Sequence, residues 1–144
     1  MPECKFEDGP SLREKVLRGV NRLTDNVAAT LGPKGRNVIL QEKGKAPIIT
    51  KDGVTVSAFV HLDDEMENAA AQIIKQATSQ TNNMAGDGTT TATVLAREIL
   101  TRSQRYITSG ASPVELKRGI DAGVRVIVDH LKSSATHIES LADI

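Results

Sequence analysis

Aromatic side chains are almost missing from this sequence: there are two Phe, one Tyr and no Trp among 144 residues. Phe6, Phe59 and Tyr106 cannot build the stacking platforms that single-stranded nucleic acids require. The core must come from Val, Ile, Leu, Ala and Met, a set that suits helix-on-helix packing. Cysteine is as scarce. Cys4 stands alone, so no internal disulfide can form and nothing points to a secreted scaffold. A lone thiol near a terminus is read as incidental. An excess of either charge is also lacking, with 18 basic and 18 acidic residues. Nucleic-acid-binding domains and polybasic membrane-surface modules are strongly basic, so neither partner is expected. No apolar run approaches the roughly 18 residues of a transmembrane span. The start, MPECKFEDGP, has no apolar signal-peptide region. His61, His130 and His137 show no metal-ligand spacing, and no Ser/His/Asp or Cys/His arrangement has local support. The expectation is one compact domain, soluble and in a reducing, cytoplasmic compartment.

Helical periodicity fills most of the chain. Leu12, Val16, Leu17, Val20, Leu23, Val27 and Leu31 fall on one face of a helix, which Gly32-Pro33 ends. Two short apolar runs, Val38–Leu40 and Ile48–Thr50, flank a polar stretch carrying Gly44 and Pro47, the pattern of a hairpin with a longer loop. A two-stranded hairpin is marginal by itself, so this one is expected to pair with something else. Lys51-Asp52-Gly53 is a turn, followed by a short helix over Val54–Phe59. Asp63 and Asp64 open a long helix with Met66, Ala69, Ala70, Ile73, Ile74 and Ala77 on its apolar face. A third helix runs from Thr89 with Val94, Leu95, Ile99, Tyr106 and Ile107. Ser112-Pro113-Val114-Glu115 reads as a Ser cap, a first-turn Pro and a Glu. That fourth helix should turn Leu116, Ile120, Val124, Ile127 and Leu131 inward. Every one of these stripes is read as core. Ile138–Ile144 looks like the start of a further helix, which suggests that the chain does not naturally end at Ile144.

Two segments carry more than packing. Ala29–Asn37 places Gly32, Pro33, Lys34, Gly35 and Arg36 in a short loop at a helix end. Glycine permits positive φ and close backbone approach to a ligand. The loop lacks the spacing of a P-loop, and by fold alone it is a helix C-cap with basic residues. In Ala85–Thr93, four threonines crowd the first turns of a helix. Threonine is a mediocre helix former, so crowding it there costs propensity without adding core. A helix N-terminus offers unpaired N–H donors and the positive end of the dipole, and the glycines let a phosphate approach. Asp87 stands where it could hold Mg²⁺ between phosphate groups, or it simply caps the helix. Asp52 matters only if folding brings it to Asp87.

The strings TLGPKGRN at 30–37, KDGV at 51–54, AGDGTTTATVLA at 85–96 and KRGID at 117–121 resemble, in order and spacing, those of group I chaperonins. The resemblance covers about residues 5 to 132. Departures include the start at 4–12 and the more polar stretch at 104–110. The resemblance implies a mainly α fold, an equatorial-domain-like helical bundle with a β-hairpin stem loop. Residues 1–144 would be the N-terminal half of that domain, with helices about 10–31, 64–85, 88–109 and 112–135 and a hairpin about 37–50. The apical and intermediate domains of the family are absent from this sequence. The cofactors implied are ATP and Mg²⁺. Thr30, Leu31, Gly32, Pro33, Lys51, Gly88, Thr89, Thr90 and Thr91 would bind nucleotide. Asp87 would hold the metal, and Asp52 would be an auxiliary catalytic carboxylate near the γ-phosphate.

In such a family ATP binding and hydrolysis drive protein folding in a ring of like subunits. Unfolded clients and a co-chaperonin engage domains not present here. The main general base belongs to one of those domains, and general acid–base catalysis contributes roughly 10²- to 10⁴-fold. Little or no hydrolysis is therefore expected from this chain alone. The rival reading is a short assembly or regulatory module without ATPase activity. A small nucleotide kinase is disfavoured by the missing Walker motif and the lack of alternating strands and helices.

Overall fold

The structure is a computed structural model and describes residues 5–136. Cys4, His137 and the helix start expected at 138–144 lie outside the described residues. Among the described residues, five helices and one hairpin make the fold: α1 Gly9–Ala28, β1 Val38–Leu40, β2 Ile48–Thr50, α2 Gly53–Phe59, α3 Glu65–Ala85, α4 Thr89–Thr108 and α5 Pro113–Ser134. This is the mainly helical class, with a small antiparallel hairpin, that the sequence called for. Residues up to Thr101 form one compact unit and those from Arg102 a second.

The core of the first unit gathers on α1. Leu23 and Val27 are fully buried with Val56 of α2 and Ala71 of α3, and Val38, Leu40, Val60, Leu62 and Ile74 pack around them. Truncating a residue so placed costs about 2–5 kcal/mol. Gly19 lets α1 approach α3 closely, since a Cβ there would overlap the Glu67 carbonyl. Glu67 itself is buried, with Arg18 Nε 2.8 Å from Oε1 and Arg22 Nη1 3.1 Å from Oε2. The Arg22 pair is a charge contact rather than an aligned hydrogen bond.

Helix starts follow local chemistry. Asp64 Oδ1 accepts from the amides of Met66 and Glu67, and its Oδ2 lies 3.1 Å from Lys15 Nζ. The Glu67 amide and then Lys15 hold the Asp64 carboxyl below its usual range. The Glu7 and Asp64 carboxylates raise Lys15. α3 ends at Gly86, whose φ of 73° only glycine adopts readily and whose N–H returns to Asn82. α1 stops at Ala28, short of Leu31, because residues 29–36 fold back in tight turns.

The hairpin pairs Val38 with Thr50, Ile39 with Ile49 and Leu40 with Ile48. Alternation sends Val38 and Leu40 toward the core and leaves the facing pair Ile39 and Ile49 in solvent, 71% and 68% exposed.

Three expectations need correction. On α5 no residue is buried, and Val124, Ile127 and Leu131 are exposed rather than turned inward. An amphipathic stripe states that a face is apolar, not that it is buried. Ile73, Leu95, Ile99 and Tyr106 are exposed as well. Ser112 occupies the N-cap position of α5 without a side-chain cap bond, so Pro113 and Glu115 in the first turn are what remain of that start signal.

Candidate functional site

The loop after α1 is closed by its own backbone. Arg36 N–H donates to the Ala29 carbonyl at 2.8 Å and Gly35 N–H to Gly32 at 2.9 Å. Gly32 has φ of 72°, and a Cβ on Gly35 would strike the Thr30 carbonyl. Both glycines are therefore required by geometry, one by its backbone angle and the other by close approach. Leu31, Gly32 and Pro33 stand exposed on this loop. Thr30 is half-buried, and its hydroxyl donates to Val27 at 2.8 Å.

Four helices begin one or two residues after an aspartate, and the aspartates do different work: Asp8, ahead of α1, makes no side-chain cap bond. Asp52 caps α2: its carboxylate accepts from Val54 N at 3.2 Å, Thr55 N at 2.9 Å and the Thr55 hydroxyl at 2.6 Å. The Thr55 hydroxyl, then its amide, holds the Asp52 carboxyl below the usual range. Asp64 caps α3 in the same way. Asp87 does not cap α4. Its Oδ1 accepts from the adjacent Gly88 N–H at 2.6 Å, and among the described residues it takes no other donor. Its exposed charge is held two residues ahead of the helix start, beside Gly88 with φ of 86°.

The segments meet at Gly53. This glycine is buried, and a Cβ on it would collide with Thr90 Oγ1 and lie 3.4 Å from Thr30 Oγ1. The end of α1, the start of α2 and the start of α4 therefore converge on one point. Lys51 and Asp52 immediately precede it, both exposed. Gly88, Thr89 and Thr90 are half-buried and Thr91 exposed around the α4 N-terminus. Sequence reasoning missed Gly53 as a site residue. The sequence marks it only as part of a turn, its φ is ordinary, and the tertiary approach alone reveals why no side chain fits.

A cavity of about 230 Å³ borders this point, lined by Gly53 and Thr89 with Val54, Ser57, Lys75 and Thr93 among others. It is largely apolar and contains neither aspartate, so it neighbours the charged cluster without being part of it. Lys75 donates to the Val60 carbonyl at 2.5 Å, and burial pushes its ammonium pKa down.

The sequence profile of the TCP-1/cpn60 chaperonin family matches residues 23–143. The chain belongs to this family. The match takes in the loop after α1, the Lys51–Gly53 turn and the α4 start together. Chaperonins as a family assist protein folding and assemble from several subunits. In this chaperonin chain no helix is long and apolar enough to cross a membrane, among the described residues.

A metal ion would fit here only with a ligand's help. Among the described residues no group of three or more His, Cys, Asp or Glu could hold one. Mg²⁺ suits such a place, since it keeps several waters and binds through one or two carboxylates plus substrate phosphates. Asp87, exposed and not consumed by capping, offers one such carboxylate.

The Asp52 cap yields a stability prediction. Asp52→Ala should cost about 1 kcal/mol near neutral pH, the usual worth of an N-cap. The folded carboxyl titrates below its unfolded counterpart, so the stabilisation is present above the unfolded value and fades as pH falls through the folded one. Urea midpoints of the two proteins should therefore differ at pH 7 and converge in acid below pH of about 4. An equal gap at both pH values would contradict the assignment.

Proposed function

We propose that residues 30–33, 51–53 and 87–91 form the phosphate side of a Mg-ATP site, and that the chain is the N-terminal half of a group I chaperonin equatorial domain. The observation that carries this reading is the convergence of Thr30, Gly53 and Thr90. It joins three sequence motifs that lie far apart along the chain. The α4 N-terminus would supply N–H donors and a positive dipole end to the phosphates. Thr89, Thr90 and Thr91 would add hydroxyl donors. Asp87 would bind Mg²⁺, which supplies charge neutralisation between phosphate oxygens when bound. Leu31 and Pro33 offer an apolar surface for the base, and Lys51 a cation nearby.

Asp52 remains ionised and keeps unused lone pairs beyond its cap bonds, so it can orient a water on the γ-phosphate side. It would act as an auxiliary group. Catalysis of phosphoryl transfer is largely positioning and charge stabilisation, and little or no hydrolysis is expected from these residues alone. The exposed Ile39–Ile49 pair and the hairpin's open edges favour pairing with a neighbouring subunit in a cytoplasmic homo-oligomeric ring. Client proteins and a co-chaperonin would be engaged through other domains of such an assembly.

Calorimetric titration of the chain with Mg-ATP tests the reading. Saturable binding that EDTA weakens is the expected result. A folded chain that binds no nucleotide would leave the alternative, an assembly module without an ATP site.

A further inference from the structure

We infer that Gly53 is a positioning residue for Thr90: the space left by its missing side chain seats the Thr90 hydroxyl and selects the rotamer that aims it. The inference rests on the reading of this place as a phosphate site. Threonine in a helix divides between two χ1 rotamers, because its hydroxyl can turn back toward a carbonyl one turn earlier. Nearby side chains illustrate the competition. Thr93 donates to the Thr89 carbonyl at 2.8 Å, Thr78 to Lys75 at 3.0 Å and Thr30 to Val27 at 2.8 Å. Thr90 makes no such bond among the described residues, and its Oγ1 sits against Gly53 instead.

The nature of the collision decides what a side chain at 53 would do. The atom in the way is Thr90 Oγ1, the movable end of a side chain, while Thr90 Cβ lies at a tolerable 3.4 Å. At Gly19, in contrast, the obstructing atoms are Glu67 backbone. A methyl group at 53 can thus be accommodated by rotating Thr90 about χ1. Rotation must take the hydroxyl away from its present place and leave only the Thr90 Hβ facing position 53, because the threonine methyl there would collide as the hydroxyl does. The fold survives and the donor is lost.

The test is a double-mutant cycle on the chain: wild type, Gly53→Ala, Thr90→Ala and both together. Each is first shown to be folded by thermal melting, then titrated with Mg-ATP. Because a hydrogen bond to a charged group is at stake, each single variant should bind about tenfold more weakly. The double variant should bind like Thr90→Ala alone, since the hydroxyl that Gly53 positions is already gone. The Thr90 χ1 coupling constants, measured without nucleotide, should change in Gly53→Ala. Additive losses in the double variant, or unaltered affinity and χ1 in a folded Gly53→Ala chain, overturn the inference and leave the site reading intact. Absence of nucleotide binding by folded wild type removes both.

Discussion

Asp87→Ala is expected to weaken Mg-ATP binding on the order of 100-fold, about 2.8 kcal/mol. The expectation follows from where the carboxylate stands. It is exposed, it does not cap α4, and its only bond among the described residues is to the neighbouring Gly88 amide. Nothing in the fold depends on its charge, whereas a Mg²⁺ ion shared with phosphate would. The sign should reverse when the metal is removed. Without Mg²⁺, the Asp87 carboxylate repels the phosphates, so the variant should bind ATP as tightly as wild type or more so. Asp87→Asn separates the two roles, because it keeps an acceptor for Gly88 N–H and loses the charge. It should behave like alanine in the Mg²⁺-dependent titration. Wild-type affinity in the asparagine variant would mean that Asp87 shapes the turn and holds no metal.

Gly19→Ala should have the largest effect on stability. Helix propensity argues for a gain, since alanine is better than glycine in a helix interior by about 0.5–1 kcal/mol. Sterics argue for a loss and prevail. The new Cβ would overlap the Glu67 carbonyl oxygen and lie 2.8 Å from its carbon and 2.9 Å from its Cα. Backbone in the facing helix cannot step aside, so α1 and α3 must separate. Arg18 and Arg22, which flank Gly19, would also be drawn off the buried Glu67 carboxylate. Overpacking costs typically 1–3 kcal/mol, and stranding part of a buried ion pair adds to it, giving a net loss of about 3 kcal/mol. Gly119 and Gly123 on α5 provide the control, because a Cβ on either meets nothing within 4 Å. Alanine at those positions should leave the chain as stable or slightly more so. Urea unfolding of the three variants measures the difference. A Gly19→Ala chain as stable as the Gly119→Ala one would contradict the close approach of α1 and α3.

What the sequence made legible was local. The apolar stripe of α1, the Asp64 cap, the Gly86 stop and the hairpin around Gly44 all depend on neighbours a few residues away, and periodicity or turn chemistry reveals them. Where a residue's role depends on another segment, the sequence was silent or misleading. Gly53 has an ordinary backbone angle, and its meaning lies entirely in Thr90 and Thr30. Glu67 sits in the first turn of α3, where an acidic residue is expected for the dipole, and only the packed structure shows it buried between two arginines. The α5 stripe is as regular as that of α1, yet Val124, Ile127 and Leu131 remain in solvent. At the candidate site, the phosphate-friendly composition of 85–93 was visible, as was the unusual loop at 29–37. The distinction between Asp52 as a cap and Asp87 as a non-cap was not, because both precede a helix by one or two residues.

The most direct test of the account is an amide NMR titration of the chain with Mg-ATP. Resonances of Gly32, Gly53, Gly88, Thr89, Thr90 and Thr91 should shift together along one binding curve, with those of the 38–50 hairpin unmoved. Shifts confined to one of the three segments, or centred on the hairpin, would contradict a phosphate site built where α1, α2 and α4 converge.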